Sequence, residues 1–167
     1  MKRAALLVAS ASMALACDPV HSNEVDALGG EASGVRTGPT HRPGQPCLVC
    51  HDGNIGDPPR FNVAGTVFVT PYVVAPENGA GGAIVKMTDA TGASHASTTN
   101  EVGNFYVTPN EWTPVYPITV EIDYGGVTTT MKSHIGRDGS CAGCHRNPAG
   151  PSSPGPVAVG WGDGGVP

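Results

Sequence analysis

Between positions 61 and 132 the chain alternates. The stretch FNVAGTVFVT, Phe61 to Thr70, places apolar residues at every second position, and YPITVEID, Tyr116 to Asp123, follows the same rhythm. Period two sends successive side chains to opposite faces of an extended strand, and β-branched residues suit such a half-buried surface. Turn clusters recur at short intervals: Asp89 to Gly92, Asn100 to Gly103, and Tyr124-Gly125-Gly126. Short alternating strands punctuated in this way predict a mainly β fold, a small antiparallel β-sandwich of about six or seven strands. No part of this region carries the period of a long amphipathic helix.

Outside the alternating region the pattern fades. Asp18 to Pro46 is polar and rich in Gly, Ser and Pro, and reads as a tether. The end of the chain, from Arg146 on, is dense in Gly and Pro, and a disordered or extended tail with an exposed Trp161 is expected. The first sixteen residues, MKRAALLVASASMALA, combine Lys2 and Arg3 with an uncharged run and small residues at Ala14 and Ala16. These are the parts of an export signal, and the run is shorter than the roughly 20 apolar residues that span a bilayer. The division expected is therefore a signal peptide over 1–16, a tether over 17–46, a first motif over 47–60, the sandwich over 61–132, a second motif over 133–147 and a tail over 148–167.

Ala14-Leu15-Ala16-Cys17 resembles the lipobox of bacterial lipoproteins, with Ala14 and Leu15 in the reverse of the usual order. The resemblance implies a diacylglycerol on Cys17 and a lipid-anchored protein, periplasmic or on the outer surface, with no membrane helix. Plain secretion with a free Cys17 is the alternative.

Composition narrows the function. The chain has 24 Gly and 16 Pro but only 3 Phe, 4 Tyr and 2 Trp, too little bulk for a large core, so something else must help to stabilise it. The formal charge is −5, and removal of Lys2 and Arg3 makes it more negative. With no basic run, nothing points to a nucleic-acid partner.

Four of the five cysteines fall in two pentapeptides, CLVCH at 47–51 and CAGCH at 141–145. This Cys-x-x-Cys-His pattern resembles the attachment site of c-type cytochromes, where two thiols bind the vinyl groups of one haem and the adjacent histidine ligates the iron. The resemblance implies one haem on Cys47, Cys50 and His51 and a second on Cys141, Cys144 and His145. Disulfides and a four-thiolate zinc site are the competing readings. Neither accounts for a histidine directly after each pair, which chance composition would supply roughly once in a thousand such chains.

Each motif also has an upstream histidine: His41 stands six positions before Cys47, and His134 seven before Cys141. Both are candidates for the sixth iron ligand, giving two bis-histidine haems. Met87 and Met131 are the alternative sixth ligands, although a methionine in a strand is usually core. His95 reads as a surface residue and His21 as part of the tether.

The segments AGTV, GGAIVKMTDATG and TTNEVGNFYV resemble the carboxypeptidase regulatory-like domains, of the wider transthyretin-like and Cna-B-like sandwiches. That resemblance implies a scaffold rather than an active site, with Gly92 and Gly103 shaping turns and Phe105 and Val107 pointing inward. The reading expected is a β-sandwich with haem-binding loops at both ends and disordered termini. Such a protein would be an exported dihaem electron carrier serving other redox proteins. An enzyme of peroxidase type would need a five-coordinate iron and a nearby acid–base group, and the supply of upstream histidines argues against it. A non-haem exported lipoprotein with Cys-x-x-Cys disulfides or zinc is the remaining alternative.

Overall fold

The computed structural model describes residues 19–31, 36–53 and 59–160. The export segment, Cys17 and Trp161 lie outside the described residues. Six strands form, as the alternation predicts: β1 (Val63–Thr66), β2 (Ile84–Thr88), β3 (Ser94–Thr98), β4 (Asn104–Val107), β5 (Thr119–Tyr124) and β6 (Val127–Thr130). All the strand pairings are antiparallel, in a two-stranded sheet β1-β4 and a four-stranded sheet β3-β2-β5-β6.

The strand pattern follows the sequence. In β2, Val85 and Met87 are buried while Ile84 and Lys86 face out. Val63 and Val107 are fully buried and pair across β1 and β4, and Phe105 pairs with Gly65. With Val67, Ile118 and Ile122 they close an apolar core between the sheets. Gly103 turns the chain into β4 at φ 82°, and Gly92 turns it between β2 and β3 at φ 86°. Both lie in the left-handed region that glycine enters without steric cost.

The other side chains of the small sheet point away from this core. Ala64 pairs with Tyr106 and Thr66 with Asn104, so the outer face carries Ala64, Thr66, Asn104 and Tyr106. The rest of the molecule gathers on this sheet and its free edge. A short helix, α1 (Pro19–Ala27), packs beside a one-turn helix, α2 (Leu48–His51), that holds the first pentapeptide. A second one-turn helix, α3 (Cys141–Cys144), packs beside β1. Ser140 bridges in parallel to Ala64, the Ala64 N–H donating to the Gly139 carbonyl at 3.0 Å.

Two expectations about the flanks are corrected by this packing. The segment read as a structureless tether contains α1 and, over residues 37–46, a loop fixed to the small sheet. Part of the supposed tail is built in as well: Phe68 exchanges hydrogen bonds with Val157 and Val159, and both valines pack against the core. Isolated valines in a Gly- and Pro-rich stretch give no periodic signal, so only the open edge beside Phe68 reveals their use. The separation of the two motifs, which the sequence leaves open, is short. Both lie at the small sheet, one over its outer face and one along its edge. Among the described residues no helix is long and apolar enough to cross a membrane.

Candidate functional site

A cavity of about 490 Å³ opens over the outer face of the small sheet, within the size range of cofactor sites. Ala64, Asn104 and Tyr106 contribute to its floor, and Val25 and Leu28 cover it from α1 and the residue after it. Cys47, Cys50, His51 and His41 all line it. Four residues that the sequence marked as one unit thus share one space.

The local fold explains how α2 presents its side chains. The Cys47 carbonyl accepts the His51 N–H at 3.0 Å, closing a single helical turn. A turn of this kind places residues three and four apart on one face, so Cys47, Cys50 and His51 can address one ligand. His51 is 7% exposed, and its Nδ1 lies 2.8 Å from the Pro59 carbonyl oxygen. A carbonyl can only accept, so Nδ1 carries the proton and Nε2 is left as the nitrogen with a free lone pair. That is the tautomer a metal-ligating histidine requires, fixed by its partner outside the metal's own shell.

His41 lines the same cavity from the 37–46 loop. Its Nδ1 contacts both the carbonyl and, at 3.4 Å, the N–H of Gly38; with the proton on Nδ1 for the closer carbonyl contact, Nε2 is the available nitrogen. The rings of His41 and His51 are 5.9 Å apart, centroid to centroid, and tilted by 39°. Two imidazoles bound at about 2 Å on opposite faces of one iron would bring their centroids to about 6 Å. The spacing of the two rings is thus compatible with two ligands of one iron, and the cavity beside them is large and mostly apolar. Phe61 packs on the other side of His51 at 4.4 Å and stacks on Tyr106 at 4.6 Å, which backs the His51 ring with two further rings.

Arg42, next to His41, fastens the cover. It donates from Nε to Glu31 at 3.1 Å and from Nη2 to the Gly29 carbonyl at 2.7 Å, and its Nη1 reaches Gln45 at 2.8 Å. Its backbone adopts φ 50°, the one positive value at a non-glycine among the described residues. Such a conformation costs about 1–3 kcal/mol and persists where surrounding contacts enforce it. Sequence reading missed Arg42, α1 and the roles of Thr66 and Asn104. A lone arginine in a polar stretch and two polar strand residues carry no signal of a common site.

The second motif repeats the local design but not its surroundings. The Cys141 carbonyl accepts the His145 N–H at 2.8 Å, and His145 Nδ1 lies 3.0 Å from the Gly155 carbonyl. His145 thus holds the same tautomer as His51. Yet the space beside Cys141 and His145 measures only about 10 Å³, which does not enclose a haem. Cys141 is seated against β1 while Cys144 is exposed. His134 is exposed beside the bridge between Ile118 and Ile135, and no ring contact joins it to His145 among the described residues. The structure brings His41 to the first motif but does not bring His134 to the second.

The Cys47 and Cys141 thiols are protonated at neutral pH. Burial pushes Cys47 up to about 11, assisted by Cys50. Burial pushes Cys141 up to about 12, assisted by Cys47 and Asp138, so the first cysteines of the two motifs lie within electrostatic reach of each other. None of the four described cysteines is in a disulfide. Among the described residues no three His, Cys, Asp or Glu side chains gather into a site for a bare metal ion.

The other candidates fall outside the site. Met87 is fully buried in the core. Met131 is half-buried, its N–H donating to the Val120 carbonyl at the end of the large sheet. His95 lies on β3 and stacks on Trp112 at 5.9 Å. In comparisons with known proteins, no family model, no curated protein and no solved structure matches the chain.

Proposed function

We propose that the chain is an exported c-type cytochrome that carries single electrons between redox proteins. Cys47, Cys50, His51 and His41 would hold one haem, and Cys141, Cys144 and His145 a second. The observation that carries this reading is a cavity lined by both thiols of one pentapeptide together with the imidazoles of His51 and His41, whose centroids are 5.9 Å apart. When bound, such a group supplies a reversible one-electron couple whose potential follows its axial ligands and burial.

The protein's own residues do the rest. The Pro59 and Gly38 carbonyls hold the two rings in the ligating tautomer. Phe61, Val25 and Leu28 give the first site apolar walls, and two histidines on its iron would leave no place for substrate there. At the second motif Cys144 is exposed and His145 is half-buried. Cys47 and Cys141 lie within electrostatic reach of each other, which supports two neighbouring sites acting as a relay between partner proteins. On this reading the sandwich is a scaffold of the carboxypeptidase regulatory-like kind, and a lipid on Cys17 holds the protein to a membrane.

The test is an intact mass and an absorption spectrum of the protein exported from cells that attach c-type haem. A mass gain of two haems, with a low-spin six-coordinate component, is expected. Protein that leaves those cells without haem would refute the proposal and return the pentapeptides to disulfide or zinc chemistry.

A further inference from the structure

The loop that delivers His41 has little to hold it from within. Residues 37–46 include Gly38, Pro39, Pro43, Gly44 and Pro46 and form no helix or strand. A segment of that composition cannot meet its own backbone hydrogen-bonding needs or choose one conformation unaided. One buried polar pair on the small sheet does much of this work.

Thr66 and Asn104 stand directly opposite each other on β1 and β4, 6% and 9% exposed. Asn104 Nδ2 donates to the His41 carbonyl at 2.9 Å and to the Pro39 carbonyl at 3.2 Å. Asn104 Oδ1 accepts from the Thr66 hydroxyl at 2.7 Å, and that hydroxyl accepts the Gly44 N–H at 2.8 Å. Asn100 adds a bond from Nδ2 to the same Pro39 carbonyl at 2.6 Å. Because carbonyls only accept, the Asn104 amide must turn its NH₂ to the loop and its oxygen to Thr66. The loop is therefore pinned on both sides of His41 and at His41 itself.

Packing does not explain the choice of residues. Two polar side chains buried on a sheet face are costly unless every group is bonded, and apolar neighbours such as Ala64 and Tyr106 already serve the floor of the cavity. We infer that Asn104 and Thr66 are positioning residues whose bonds to the 39–44 loop hold the His41 imidazole in place opposite His51. The inference rests on the haem reading and goes beyond it by assigning the control of one axial position to a polar pair on the sandwich.

The experiment compares full-length, exported, haem-loaded wild type with Asn104→Ala, Thr66→Val, Thr66→Ser and His41→Ala. Free imidazole is titrated into the ferric proteins while the absorption spectrum reports spin state. Asn104→Ala and Thr66→Val should each show high-spin character at one more haem than wild type. They should bind imidazole there roughly tenfold more tightly than wild type does, the effect of losing a buried hydrogen bond to the loop. His41→Ala sets the upper limit, and Thr66→Ser, which keeps the hydroxyl, should match wild type. Intact masses and far-ultraviolet circular dichroism establish that the variants are loaded and folded, and Thr66→Val serves if Asn104→Ala does not fold. Wild-type spectra and imidazole binding in both Asn104→Ala and Thr66→Val, with His41→Ala open, would overturn the inference and leave the haem reading standing. A haem-free wild type would overturn both.

Discussion

Gly65 leaves on β1 the space that Cys141 fills. A Cβ at Gly65 would stand 2.7 Å from both Cβ and Sγ of Cys141 and 3.2 Å from the Phe105 ring. With Ser140 bridging to Ala64 beside it, this one missing side chain lets the second motif dock on the edge of the small sheet. Gly65→Ala should therefore cost about 1–3 kcal/mol, as overpacking does, and should loosen α3. Urea unfolding of wild type and variant measures the first. A stability unchanged by the extra methyl would mean that Cys141 is not seated there.

Phe61 is the wall behind His51. Phe61→Ala removes a ring that is 9% exposed and packed between His51 and Tyr106. Loss of a buried phenylalanine typically costs about 3–5 kcal/mol, and the lower end is expected because Phe61 stands outside the main apolar cluster. Chemical denaturation monitored by circular dichroism tests this, and a loss below about 1 kcal/mol would contradict the packing.

Asp89 sets an acid limit. Its carboxylate accepts the Thr91 N–H and hydroxyl at 2.8 and 2.6 Å, the Ala93 N–H at 3.1 Å and the Val115 N–H at 3.1 Å. The Thr91 hydroxyl first, and the Val115 N–H next, hold its pKa below the ordinary 3.8. A carboxylate favoured in the folded state lends stability above its unfolded pKa, and that stability is lost as pH falls through the folded one. Melting temperature should drop below about pH 4 in wild type and fall less steeply in Asp89→Ala, which is less stable at pH 7. Parallel acid limbs in the two proteins would rule out this role.

The buried thiols set the opposite limit in haem-free protein. Cys47 and Cys141 are raised from 9.0 to about 11 and about 12, so the folded state keeps protons that the unfolded chain releases. The stability they lend is complete below about pH 9 and is lost as pH climbs toward the folded values. Urea midpoints of protein made without haem should decline across that alkaline range. Formation of thioethers removes the titrating groups, so the haem-loaded protein should lack this part of the decline. An equal decline in both would show that the thiols are not its source.

Much of the sandwich is legible because strand alternation is local. Residues two apart share a face wherever the strand pairs, so Val85 with Met87 and Phe105 with Val107 declare themselves without reference to the rest of the chain. The left-handed turns at Gly92 and Gly103 are equally local, since the backbone there excludes a Cβ whatever surrounds it. The grouping of Cys47, Cys50 and His51 follows from a single helical turn.

What the sequence by itself determined is this set of short-range relations: the strands, the turns and the two pentapeptides. Tertiary structure decided which strands pair, and with that which surface lies above Thr66 and Asn104. It brought His41 out of a seemingly idle tether to face His51, left His134 away from His145, and set Val157 and Val159 against the open edge at Phe68. The physical reason is range. Helical and strand periodicities repeat over two to four residues, whereas these contacts depend on a register between distant segments that only the closed core imposes.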